Sequence, residues 1–191
     1  SIGAVTFQDA YDNNGGLAAV EAGSSLTVRD SAIRDVGCGG SGRCYGGVFD
    51  VDASTLTLTG VDIQVDYVNL DDIRGGIIHA DDSTLALSDV DVSASSINAA
   101  AGNSYIYGGL LNADGGSVSM EQVSLVGNTV STGYHLYGGA LYLVNTQVDV
   151  DGLVVDDNAF NATHYDYGDA NGIWFYLGGT TSDMTFTGMS I

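Results

Sequence analysis

Residues 55–59 alternate polar and apolar side chains, Thr55-Leu56-Thr57-Leu58-Thr59, and Leu85-Ala86-Leu87-Ser88 repeats the alternation further along. A period of two puts the two sets on opposite faces of an extended chain, so both stretches read as strands buried on one side. The alternation sits inside a longer unit: YGGVFDVDASTLTLTGVDI (45–63) returns as RGGIIHADDSTLALSDVDV (74–92), YGGLLNADGGSVSMEQVSL (107–125) and YGGALYLVNTQVDVDGLVV (137–155). Aligned on their paired small residues, the units start at Gly15, Gly46, Gly75, Gly108, Gly138 and Asn171, at intervals of 31, 29, 33, 30 and 33 residues. Such a period signals a stacked repeat. The units are rich in Gly, Thr, Val and Asp and show no 3.6-residue apolar pattern, which argues against helical repeats.

Stacked by unit, one apolar column pair reads Val5/Phe7, Leu26/Val28, Leu56/Leu58, Leu85/Leu87, Val118/Met120, Val148/Val150 and Met184/Phe186. The position between reads Thr6, Thr27, Thr57, Ala86, Ser119, Asp149 and Thr185, small or polar and therefore outward. A second strand follows each Gly pair, with Phe49, Ile78, Leu111, Leu141 and Trp174 in one column and Val51, Ala80, Ala113, Leu143 and Tyr176 in its partner. The Gly pair suits a turn into that strand, either for unusual backbone angles or for close approach between coils. The fold expected is an all-β, right-handed parallel β-helix, a β-solenoid of about six coils whose rungs lie roughly 4.8 Å apart. The absence of Pro fits strands that hydrogen-bond on both sides.

The chain has 191 residues, enough for one domain over 1–191, and no apolar run near membrane-spanning length. It starts at Ser1 with no charged-then-apolar leader, as expected of a mature or excised chain. Against 24 acidic residues stand four basic ones, all Arg, for a net charge of -20. Such a surface repels phosphate backbones and anionic headgroups, so nucleic acid and direct membrane insertion are excluded as partners; it suits cations, a calcium-rich exterior or high salt. Cys38 and Cys44 flank five residues, and a disulfide closing that loop is the first reading, two free thiols the alternative. A disulfide implies a secreted or cell-surface location. Asn161-Ala162-Thr163 is a glycosylation sequon if the source glycosylates.

Gly138-Gly139-Ala140-Leu141, with the looser Gly108-Gly109-Leu110-Leu111 and Gly75-Gly76-Ile77-Ile78, resembles the GGA[IL] element of bacterial polymorphic outer-membrane proteins and surface passenger domains. Their FxxN element has degraded counterparts in Leu125-Val126-Gly127-Asn128 and Val155-Asp156-Asp157-Asn158. The whole chain resembles the right-handed parallel β-helices of the pectin-lyase-like superfamily. That resemblance implies the fold and leaves function to the site. It brings in enzymes of two kinds. The polygalacturonases carry NTD, DD, GHG and RIK motifs, of which this chain has only DD, at 71–72, 81–82 and 156–157. The pectate lyases pair calcium-binding Asp with a basic residue, for which Arg34 and Arg74 are the only candidates.

Three constellations could hold chemistry. Glu21, Asp52, Asp81 and Asp114 share one column after the second strand, and carboxylates one coil apart repel by about 0.9 kcal/mol in water. Turn chemistry with solvent screening is one account of the ladder, a bridging calcium ion the other. His79, Asp81 and Asp82 form the candidate catalytic set of a small carbohydrate-active enzyme, a polysaccharide hydrolase or lyase, with Asp50 and Asn112 in the column of His79. Tyrosine is the third signal. Tyr45, Tyr107 and Tyr137 precede Gly pairs with Arg74 between the first two, the pattern of an aromatic and cation–π ladder. Tyr67, Tyr105, Tyr134, Tyr165 and Tyr167 fall on the variable third segments, where Tyr beside Asp and Asn suits carbohydrate or a host or cell-surface protein.

The opening GAVTF (3–7) and closing DMTFTGMSI (183–191) are both strand-like, so the ends are expected to be uncapped. Either coils of a longer solenoid flank the chain, or copies stack head to tail through Val5, Phe7, Trp174, Phe175, Met184 and Phe186. The sequence as a whole reads as an extracellular, non-catalytic, rod-like structural or adhesive module that can assemble into a filament. The enzyme is the alternative, and an ice-binding protein using the Thr55-Thr57-Thr59 array the third.

Overall fold

A computed structural model describes residues 2–3, 6–8, 15–39, 42–69, 71–99, 104–162, 170–171, 175–178 and 184–187. The chain is a parallel β-solenoid of about five turns, all-β among the described residues. Each full turn visits four sheets. In one turn they are Cys44–Tyr45, Phe49–Asp52, Thr55–Gln64 and Asp66–Asn69; the next follows with Ile73–Arg74, Ile78–Asp81, Thr84–Ser93 and Ser96–Ala99. We call these the tyrosine sheet, the Gly-pair sheet, the long sheet and the third-segment sheet. Every pairing between coils is parallel and joins one turn to the next. The turn count falls below the expected six because six unit starts enclose only five intervals.

The expected apolar files hold. Leu26, Leu56, Leu85, Val118 and Val148 lie in register, as do Val28, Leu58, Leu87, Met120 and Val150. Of the second file, Val28, Leu58 and Val150 are fully buried. Burying like residues over like residues gives one continuous core, which is why the repeat must recur at a near-constant interval.

Two assignments shift. Phe7 was expected above Val28, but it pairs with Ile33, and Ile2 takes the place above Val28. The physical reason is spacing. Each long-sheet rung carries two buried files five residues apart, as in Leu58 and Ile63 or Leu87 and Val92, and Ile2 and Phe7 are five apart. At the other end, Phe175 and not Trp174 pairs with Leu141, so Tyr176 pairs with Tyr142, and the partner of Leu143 is Leu177, which stays exposed. The last unit was aligned on Asn171, which sits beside Tyr137 and not beside Gly138. A slip of one residue turns every side chain to the other face.

Corners are made by residues in the left-handed region. Between the Gly-pair and long sheets these are Ala22, Ala53, Asp82, Gly115 and Asn145, with φ of 57, 45, 45, 76 and 52°. Gly, Asn and Asp tolerate this conformation, so part of the chain's acidity is corner chemistry. The Gly pair does both things that were open. Gly75 has φ 63°, and a Cβ there would strike the Ile78 carbonyl; on Gly76 it would strike the Gly109 carbonyl one coil away. Polar ladders line two corners. Asn128 Nδ2 donates to Asn158 Oδ1 and to the Val92 carbonyl, both at 2.9 Å, and the Ser95 N–H donates to Asn128 Oδ1 at 3.0 Å. The asparagines of the degraded FxxN elements are therefore corner braces, Asn128 buried and Asn158 half-buried.

Candidate functional site

The tyrosine sheet runs straight through each Gly pair into the Gly-pair sheet, and the left-handed glycine bends the chain between them. Outward side chains on either side of the bend consequently meet. Tyr45 packs edge-on against His79 with centroids 5.2 Å apart, and Tyr107 against Tyr142 at 5.5 Å. Stacking in register then extends each contact along the solenoid. Tyr45, Arg74, Tyr107 and Tyr137 form one outward file. Ala19, Asp50, His79, Asn112, Tyr142 and Tyr176 form the other.

In the first file the Arg74 guanidinium lies 5.9 Å from the Tyr45 ring centroid and 5.4 Å from that of Tyr107, the expected cation–π insertion. Tyr107 stacks on Tyr137 at 5.1 Å. In the second file Tyr142 stacks on Tyr176 at 4.6 Å and 9°. The ring ladder breaks below Tyr142, where the file offers the short Asn112 and then His79. A cleft of about 280 Å³ opens at the break, bounded by both of these, by Arg74, Tyr107 and Tyr142, and by Asp81 and Asp114.

The chemistry of the cleft is mixed. His79 Nδ1 lies 2.9 Å from Asp50 Oδ1, which orients the ring and leaves Nε2 as the nitrogen available to the cleft. Asn112 is 4 % exposed, and its side-chain amide has no hydrogen-bond partner among the described residues. Burial, then the neighbouring Asp82, raise the pKa of the Asp81 carboxyl, against a lowering by His79; Asp114 and Asp52 raise it further. Burial also pushes up the phenols of Tyr107 and Tyr142, helped by the adjacent Tyr137 and Tyr176 respectively.

Of the candidate catalytic set, His79 and Asp81 line the cleft, whereas Asp82 occupies a left-handed corner outside its lining. The partner of His79 is Asp50. In the acidic ladder Asp52, Asp81 and Asp114 are in register, and Glu21 follows the pair Val20–Val51, exposed. Among the described residues no three His, Cys, Asp or Glu side chains are grouped so as to hold a metal ion. Cys38 and Cys44 form the disulfide, with Cα atoms 5.8 Å apart.

Of the tyrosines expected to bind a partner, Tyr105 and Tyr134 are half-buried and meet edge-on at 5.2 Å, joined to the ladder through His135. Tyr165 and Tyr167 lie outside the described residues. Tyr67 corrects its surface assignment: it is buried, and its hydroxyl donates to the Gly76 carbonyl at 2.8 Å. Burial raises its pKa. Among the proposed stacking residues Val5 and Trp174 lie outside the described residues, Met184 and Phe186 continue the files of Val148 and Val150, and Phe175 packs partly buried on the core. The Thr array is interrupted in its own sheet by Glu121 and Asp149.

Tyr142 and Tyr176 were missed as site residues. Following the outward column of His79 through Asn112 and onward is the reading that finds them.

No protein-family model matches the chain, and neither a curated protein nor a solved structure matches it significantly. The structure shows the parallel β-solenoid; membership of the pectin-lyase-like superfamily or of the polymorphic outer-membrane repeats is not supported by any family match.

Proposed function

We propose that this protein is an extracellular β-solenoid surface module that binds carbohydrate without transforming it. One observation carries the reading. The aromatic file breaks at Asn112, a residue only 4 % exposed that lines the cleft and whose amide has no hydrogen-bond partner among the described residues, below a tyrosine that is stacked on one side. A sugar ring needs that pair of features: an aromatic face for its C–H groups and a planar polar group for its hydroxyls. The disulfide, formed by both cysteines of the chain, supports an oxidising, extracellular setting. No described helix is long and apolar enough to cross a membrane.

A glycan panel screened with immobilised protein tests the reading. Binding is expected and should fall about fivefold or more in Tyr142→Ala, taking the roughly 1–3 kcal/mol that one aromatic ring contributes when it stacks a nucleobase as the scale for a ring contact. Binding that survives Tyr142→Ala, or a panel with no binder, overturns it.

The Asp50–His79 pair favours a second reading, hydrolysis or elimination on a polysaccharide with His79 Nε2 as general base. Steady turnover of an acidic or neutral polysaccharide, lost in His79→Ala, would establish that reading in place of the first.

A further inference from the structure

We infer that the cleft selects a sugar bearing a free amine, a hexosamine unit in its ammonium form. The inference rests on the carbohydrate reading and adds the charge of the ligand to it.

The levels of His79 and Tyr142 are two coils apart, about 9.6 Å at about 4.8 Å per rung. That opening admits one ring at van der Waals distance, about 3.5–4.0 Å, from the unstacked side of Tyr142. Asn112 lies at the level between them, lining the opening, with no hydrogen-bond partner for its amide among the described residues. A pyranose seated there places hydroxyls on Asn112 and on Arg74, whose position is already fixed by Tyr45 and Tyr107.

The remaining wall is carboxylate. Asp81 and Asp114 are adjacent in register, and Asp52 continues the row. Asn145 Nδ2 donates to Asp114 Oδ1 at 3.2 Å; among the described residues neither carboxylate of the cleft is in an ion pair, and His79, whose field acts on Asp81, is bonded to Asp50. Arg74 offsets one of these charges, so the wall keeps a net negative charge within a chain of net charge -20. An ammonium group placed between Asp81 and Asp114 relieves their mutual repulsion and gains charge-assisted hydrogen bonds. An acidic sugar meets the opposite sign. The neutral analogue keeps the ring contacts and loses the ionic ones.

Three β-1,4-linked tetrasaccharides that differ only at C2 separate these terms: the glucosamine, N-acetylglucosamine and glucose oligomers, titrated calorimetrically at low salt. The glucosamine oligomer should bind at least about tenfold tighter than the other two, with a margin that shrinks as salt rises. The double change Asp81→Asn/Asp114→Asn should abolish the margin. The same change of net charge on the long sheet, Asp149→Asn/Asp151→Asn, should leave it intact, with circular dichroism confirming that both variants are folded. Equal binding of the three oligomers, or binding of only a neutral glycan through Tyr142, overturns the amine inference and leaves the carbohydrate reading standing. Tetralysine binding as tightly as the glucosamine oligomer overturns both, because the site then reads charge on a peptide. No binding by any oligomer or by the wider glycan panel also overturns both.

Discussion

On the long sheet the outward file runs Thr27, Thr57, Ala86, Ser119 and Asp149, while on the Gly-pair sheet it runs Asp50, His79, Asn112, Tyr142 and Tyr176. Both files belong to the same rungs, and both stand over inner files of Leu, Val, Ile, Phe and Ala. Inner positions must match the rung beneath, because a mismatch opens a void or forces a clash. Outer positions carry no such constraint. Where outer neighbours are of similar size, as along the long sheet, the surface stays level. Where a short residue falls between large ones, as Asn112 does between His79 and Tyr142, the same stacking produces a cleft with walls two coils apart.

The largest effect should come from breaking what the two faces share. Leu58 is fully buried in the inner file, and Leu58→Ala should cost about 2–5 kcal/mol of stability, read as a shift in the urea midpoint. Because the core is common, the ring contacts of the tyrosine face should loosen together with the long sheet, in one transition seen by both tyrosine fluorescence and far-ultraviolet circular dichroism.

The next test makes the two faces alike. Asn112→Tyr restores the missing ring, giving an unbroken file with Tyr142 and Tyr176. Stacking of this kind is worth about 0.5–1.5 kcal/mol, so the variant should melt at or above the parent temperature while losing all glycan binding. A variant that still binds would show that the cleft is not the site.

Ala53 sharpens the comparison at the corner that joins the two sheets. It holds φ 45°, a conformation that penalises a side chain with a Cβ, so Ala53→Gly should stabilise by about 1 kcal/mol or less in equilibrium unfolding, without altering binding.

The smallest effect concerns charge. Burial, with the carboxylates of Asp82, Asp114 and Asp52 and against His79, makes the folded chain hold the Asp81 proton more tightly than the unfolded chain does. The ionised form therefore disfavours the folded state, and stability falls as pH rises through the carboxylate range. Asp81→Asn removes that dependence. At neutral pH it should melt slightly higher than the parent, and the difference should vanish once the pH is below the ordinary range for an aspartate. Urea titrations at a series of pH values measure it.

Much of this was legible in the residues. The two-residue alternation, the recurring Gly pair and the columns through Leu56, Leu85 and Val118 led to the parallel solenoid, and the files pair as read. So did the disulfide and the insertion of Arg74 between tyrosines. The two slips, at Phe7 and at Trp174, came where the unit spacing is ambiguous: a rung contains two buried files five residues apart, and Asn171 mimics the first residue of a Gly pair. Tyr67 was misjudged because a tyrosine in a variable segment has no neighbours in the linear sequence to reveal its burial; the Gly76 carbonyl that receives its hydroxyl is supplied by the following coil.

The sequence alone determined the rung: which side chains turn inward, where the chain bends and that coils stack in parallel, because those follow from local alternation repeated at a fixed interval. Only the tertiary structure decided the cleft. Its walls come from two sheets meeting across the glycine bend, and its depth from differences in side-chain length between coils about thirty residues apart in sequence. Those are distances through space, which no periodicity along the chain encodes.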